Sequence, residues 1–486
     1  MKKALVFAST LGLGCAMLSV AASSLSAAPA AKPLRVHQEP RGVGHLLAPG
    51  DRPEIVYTVD TRGIKSPTGS LYVRDDRTRR FERLSLKLKR GPGSPTLQTR
   101  VPGRLLRGHK LIYYAVVTDR RSHRSATIPA RGAAAPESAW VIGKSVMVGL
   151  GTHRFDETRA PDAVVARARA DEVGFEVPPP DCGCGPGFGP QTFLVGRDQS
   201  IWLHDGLNKR LLVWAAGRPD VIQRTVPLPF FAGQNDIALG PAHTLYVTRV
   251  VGIGLASHLV LYRLSDTGQV LWESRLAGSF FGSTSFLLGA TSALRVGPDG
   301  TLYCLVGMFG LVGGEWGWMP VATPAGRPLR VGAQRRRTDW PFQPVAGGLR
   351  LVSETYTPPN AETAPHEVRV ALIDSRSRAI RAWRVLSRTD INLGNGTNSE
   401  LVGGDPVVVL DVTAQIAGAQ KWERVVVRLG PRGTRARFSL PRAVWGANLL
   451  ADIRVGPDGN LYQLATSPTT GIVISRYSPL GSRRGS

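Results

Sequence analysis

Short stretches in which apolar and polar residues alternate recur along this chain from about residue 54 onward. A period of two is the signature of a strand with one buried face, and no long stretch shows the 3.6-residue period of a helix. From residue 193 the pattern copies itself. Residues 294–305 (LRVGPDGTLYCL) and 453–464 (IRVGPDGNLYQL) are near-duplicates, and 193–204 (FLVGRDQSIWLH) and 237–248 (IALGPAHTLYVT) are weaker copies. Each reads as strand, tight turn, strand, with Pro presetting one torsion of the turn and Gly accepting the positive one. Ala346-Gly347-Gly348-Leu349 and Val402-Gly403-Gly404-Asp405 fit the same register.

A second strand–turn–strand follows in the units, as at 260–276, 370–386 and 425–440. Six units of four antiparallel strands are therefore expected, starting near 193, 237, 294, 344, 400 and 453. A spacing of roughly 44–57 residues suits propeller blades. The last unit shows only three strands, ending with 471–477. The apolar segment at 145–150 is expected to supply its missing outer strand and close a propeller spanning 144–486.

The unit at 193–214 carries Asp198, Ser200-Ile201-Trp202, Asp205 and Asn208-Lys209-Arg210-Leu211, and it resembles an NHL-type repeat. The copies at 294 and 453 resemble the six-bladed TolB-like group, which includes gluconolactonase-type enzymes. The resemblance implies a six-bladed β-propeller. It leaves function open, because that fold hosts lyases, lactonases and pure binding modules.

Residues 32–143 lack the repeat. Alternating stretches at 54–59, 70–74, 81–88, 96–102 and 110–118, separated by turn residues, predict a β-sandwich of short strands. The run from Lys110 to Asp119 resembles a late strand of fibronectin- or immunoglobulin-like domains. The Ala/Pro/Gly-rich stretch 130–138 reads as a linker to the propeller. The expected fold class is all-β, a sandwich followed by a six-bladed propeller.

Ahead of both, residues 1–31 read as an export signal. Lys2 and Lys3 precede an apolar run from Ala4 to Val20, and Ala28-Pro29-Ala30 offers a cleavage site. A retained anchor and a lipid attached at Cys15 remain as alternatives, although Gly12 stands where a lipoprotein signal usually has Leu. The longest uncharged stretch thereafter, 276–294, is rich in Gly, Ser and Thr and does not read as a membrane span. The expected product is a monomer, secreted or at the cell surface.

Composition sharpens this reading in two places. Gly 55 and Pro 36 match a chain punctuated by many turns. The net charge of +25 is unevenly spread. Residues 32–143 hold 22 basic and 9 acidic side chains, and residues 144–486 hold 37 and 27. Within the first module, Arg74, Arg77, Arg79, Arg80, Arg83, Lys87, Lys89 and Arg90 lie close together. That cluster suggests attraction to an anionic envelope polymer, with a solvated Arg-rich face as the plainer alternative. It argues against nucleic acid, since only Phe81 interrupts it as a stacking aromatic.

In a propeller the loops entering each unit share one face with those joining its second and third strands. That face is expected to collect Cys182 and Cys184, Phe230 and Phe231, Phe280 and Phe281, and the Gly-aromatic insert from Gly307 to Trp318. Trp316, Trp318, Arg335, Arg336 and Arg337 are the expected ligand contacts there. Cys182-Gly183-Cys184 reads as a strained local disulfide or a plain loop, and Cys304 as a buried thiol. No nucleophile motif or phosphate-cradling loop is present.

Asp236, Glu400 and Asp452 fall at or near the starts of innermost strands, where gluconolactonase-type relatives bind a divalent ion. The resemblance implies a candidate metal site, calcium for example, although Thr192 and Ala293 stand at the equivalent places of two other units. The leading expectation is an exported binding or scaffold protein without a cofactor, whose partner is a protein or an anionic polymer. The alternative is a divalent-metal-dependent hydrolase, lactonase-like, or a lyase acting at the channel mouth.

Overall fold

A computed structural model describes residues 34, 36–38, 44–59, 66–90, 94–177, 189–190, 192–230, 236–251, 258–276, 293–308, 315–329, 343–356, 366–388, 390–441 and 452–478. Its propeller is a ring of six separate sheets, antiparallel apart from one added strand on blade 4. Blade 1 is built from Thr192–Val195, Ile201–Asp205, Arg210–Trp214 and Ile222–Pro227. Innermost strands of the other blades are Ile237–Leu239, Ala293–Val296, Gln343–Val345, Asn392–Val402 and Ile453–Val455. The protein is thus all-β with a six-bladed propeller, and the units begin where the repeats place them, except that the fifth inner strand starts earlier, at Asn392.

The turns between first and second strands follow local chemistry. Gly300 and Gly459 take φ of 79° and 75°, which a Cβ would strain. The turn aspartates cap backbone: Asp299 Oδ1 accepts from the Thr301 amide (3.0 Å) and Asp458 Oδ1 from the Asn460 amide (3.1 Å). Neighbouring blades are stapled by indoles. Trp272 Nε1 of blade 2 donates to Gly326 O of blade 3, and Trp383 Nε1 of blade 4 donates to Gly430 O of blade 5, each at 2.8 Å.

The ring closes differently from the sequence expectation. Ala163–Ala168 pairs antiparallel with Gly471–Tyr477 and is the outer strand of blade 6. Val146–Gly149, expected in that role as part of 145–150, instead lies parallel to Ala379–Leu386 as a fifth strand on blade 4. A parallel partner needs no hairpin, so the chain leaving the first module lays this segment on the nearest open edge.

In the N-terminal module, hydrogen bonding runs through one folded path. Glu82–Lys89 pairs with Pro67–Asp75 on one side and Thr96–Arg100 on the other, so the expected two layers are continuous around one core. Ile55, Tyr57, Leu71, Leu97, Leu111 and Val117 are all fully buried there. The expected linker at 130–138 overlaps a strand, Glu137–Val141, paired with Lys110–Tyr113.

The module is docked on blade 4. Leu46, Ala48, Trp140 and Ile142 pack against Val352, Ala371, Ile373 and Ala382. Glu354 accepts from the amides of His45 (2.7 Å) and Leu46 (2.6 Å). Arg369, with no exposed surface, donates from Nη2 to Asp51 Oδ1 (2.9 Å) and from Nη1 to Leu46 O (2.8 Å). No helix among the described residues is long and apolar enough to cross a membrane.

Candidate functional site

Innermost strands of neighbouring blades lie against one another, so a side chain at their starts meets side chains from several blades at once. Asp236 stands just before the inner strand of blade 2 and is 1% exposed. Its Oδ1 accepts from the Thr192 hydroxyl of blade 1 (2.6 Å) and from its own neighbour's amide, Ile237 (2.8 Å). Its Oδ2 accepts from the Leu294 amide of blade 3 (2.7 Å). Arg454, on the inner strand of blade 6, closes the set with an ion pair to Oδ1. One carboxylate therefore links four of the six blades.

Arg454 is equally committed. Its Nε donates to Phe193 O (3.0 Å) and its Nη2 to Thr192 Oγ1 (3.1 Å). Burial raises the Asp236 carboxyl above its ordinary value, while Arg295, Thr192 and the Leu294 and Ile237 amides pull it down.

Glu400 lies on the inner strand of blade 5, beyond the irregularity between Asn395 and Ser399. Its carboxylate is 3.1 Å from Arg295 Nε on the inner strand of blade 3. Burial pushes Glu400 upward and Arg295 opposes it. Asp452, which precedes the inner strand of blade 6, pairs with Arg424, whose Nε also reaches Asp411 at 3.2 Å. The three candidate metal ligands are thus divided among three arginines. Among the described residues no group of three or more His, Cys, Asp or Glu side chains converges to hold an ion.

The sequence marks the acids but not their partners. Arg295 and Arg454 occupy the same slot of the two best repeats, (Leu/Ile)-Arg-Val-Gly-Pro-Asp-Gly. An arginine repeated on a central strand must find an anion, and that was the available signal.

The expected recognition face is only partly described. Trp318 is 7% exposed within blade 3, so its ring is not offered to a ligand. Trp316 contributes backbone to Glu315–Ala322, paired with Gly307. Arg335, Arg336, Arg337, Cys182, Cys184, Phe231, Phe280 and Phe281 lie outside the described residues. Cys304 is fully buried, and burial raises its thiol far above the ordinary range, which leaves it unreactive.

No family model matches the sequence, and no curated protein does. Several solved structures are similar in fold. The PQQ-bound aldose sugar dehydrogenase of Streptomyces coelicolor shares 13% identity over 65% of this chain and 97% of its own, with a TM-score of 0.35. The α-L-arabinanase of Penicillium chrysogenum, complexed with arabinobiose, shares 12% over 65% and 99%, with a TM-score of 0.36. The virginiamycin B lyase of Staphylococcus aureus shares 10% over 60% and 95%, with a TM-score of 0.27. At these values the similarity carries no argument about chemistry.

Proposed function

We infer that this is a binding or scaffold protein of the cell exterior, in which an immunoglobulin- or fibronectin-like module precedes an NHL- or TolB-type propeller. The observation that carries the reading is the pairing of Asp236, Glu400 and Asp452 with Arg454, Arg295 and Arg424. A divalent ion would have to displace three guanidinium groups to reach those carboxylates, and acids already held by buried partners make poor metal ligands. The docked module and closed ring support a rigid body that presents surfaces.

A second reading, hydrolase or lyase chemistry at the mouth, has Glu400 in its favour. Its side chain is 24% exposed and its carboxyl is raised by burial, as suits a general acid. Metal analysis of the purified protein, with calcium titration followed by thermal melting, separates the two. The binding reading expects well under one equivalent of any divalent ion and no calcium-dependent rise in Tm. Stoichiometric metal that is lost in Asp236→Asn, or turnover of a lactone panel that is lost in Glu400→Gln, would establish the enzymatic reading instead.

A further inference from the structure

The outer face of the N-terminal module carries a row of closely spaced basic side chains. In the propeller, several arginines sit on carboxylates, as with Arg428 on Asp405, Arg378 on Asp374 and Arg384 on Glu367. In the module, the strand Glu82–Lys89 turns Leu84 and Leu86 toward the core and Arg83, Lys87 and Lys89 toward water. The preceding turn adds exposed Arg77, Arg79 and Arg80, and Arg90 follows the strand. Same-face positions of a strand recur every ~7 Å, so the row from Arg83 to Lys89 is about 20 Å long.

Nearby acids do not neutralise this row. Asp75 Oδ1 accepts from the Arg77 and Thr78 amides (3.1 and 2.9 Å), and Asp76 Oδ1 from the His109 and Lys110 amides (2.7 and 3.2 Å). Glu82 pairs with Arg104, outside the row. Arg83 Nε donates to a neutral hydroxyl, Ser70 Oγ, at 2.9 Å.

The aromatic rings beside the row already have partners. Tyr72 and Tyr114 stack on each other at 4.8 Å with 5° between their planes. Phe81 meets Tyr114 edge-on at 5.0 Å, and Arg74 lies over the Phe81 ring at 5.0 Å. Among the described residues, the rings beside the row are thus already in contact with one another or with Arg74, which weakens the main sequence-tolerant contact of single-stranded nucleic acid. Periodic positive charge is what remains. Most of it is guanidinium, whose fork donates to phosphate oxygens in pairs.

We propose that this face binds a linear phosphate polymer without stacking rings, of the poly(polyol phosphate) kind, laid along Glu82–Lys89. The proposal rests on the binding-protein reading and names its partner. The docked interface with blade 4 would then hold the propeller at a fixed attitude to the polymer.

The test uses the full chain and synthetic poly(glycerol phosphate), titrated at several salt concentrations. Five to seven engaged charges should give log K against log[salt] a slope of about −3.5 to −5. The triple variant K87E/K89E/R90E should lose at least about tenfold in affinity at fixed salt, since each lost contact removes a counterion-release step. Its Tm should equal that of the wild type. Tighter binding of single-stranded DNA, polygalacturonate or anionic vesicles than of poly(glycerol phosphate) would overturn the choice of polymer and leave the binding-protein reading intact. Wild-type affinity in the triple variant would overturn the face. Failure to bind any polyanion would overturn both the polymer and the module's part in binding.

Discussion

His204 shows how much a single position can decide. It sits on the second strand of blade 1 at 1% exposure, and its Nε2 has no hydrogen-bond partner among the described residues. Burial holds its pKa down to about 4, although Asp205 and Asp236 pull the other way. In the unfolded chain the same imidazole titrates near 6.5. Above that pH both states are neutral and the folded state suffers nothing. As pH falls from 6.5 toward 4, the unfolded chain takes a proton that the folded one refuses, and stability drains away. The loss should reach about 3 kcal/mol across that window. Urea unfolding of wild type and His204→Phe at pH 7 and pH 4.5 checks this, with a clearly flatter acid limb expected in the variant. An equal loss in both proteins would place the acid sensitivity elsewhere.

At the scale of the element, the inner turns are the clearest case of local chemistry setting structure. Blade 1 keeps the turn but puts Gln199 at φ 61°, where blades 3 and 6 have Gly300 and Gly459. A side chain in that region costs about 1–2 kcal/mol, and the extra unfolded-state freedom of Gly returns part of it. Gln199→Gly should therefore stabilise by about 0.5–1 kcal/mol, read as a shift in the urea midpoint; a loss of stability would refute the turn argument. Such turns were legible because Pro, Asp and Gly act within four residues. The closing strand was not. Val146–Gly149 and Ala163–Ala168 are both short and apolar, and only pairing with strands more than 200 positions away separates them. The mouth obeys the same limit. Its acids could be named from their places before inner strands, but Asp236 meets its arginine 218 positions along the chain.

On the scale of the whole molecule, the two parts are joined through charge as much as through apolar packing. Arg369 of blade 4 bonds Asp51 of the module, Glu367 of its own strand (2.7 Å) and the Leu46 carbonyl, and lies over the Tyr356 ring at 3.4 Å. Glu367 also binds Arg384 at 2.7 and 2.8 Å, so one carboxylate holds two cations and sits below its ordinary pKa despite burial. A buried network of this kind adds little net stability over a well-packed apolar core, but removing one member strands the others. The cost of doing so is about 3–5 kcal/mol. Here Asp51 of the module is left without its cation while Glu367 keeps Arg384, so the loss should fall on docking and not on either core. The wild type should melt in a single calorimetric transition. Arg369→Met should split it, the N-terminal module melting first and the propeller keeping its own midpoint. Two transitions already present in the wild type would show that the two parts melt independently, whereas one unsplit transition in the variant would show that the apolar contact of Leu46 and Trp140 with Val352 and Ile373 couples them without the arginine.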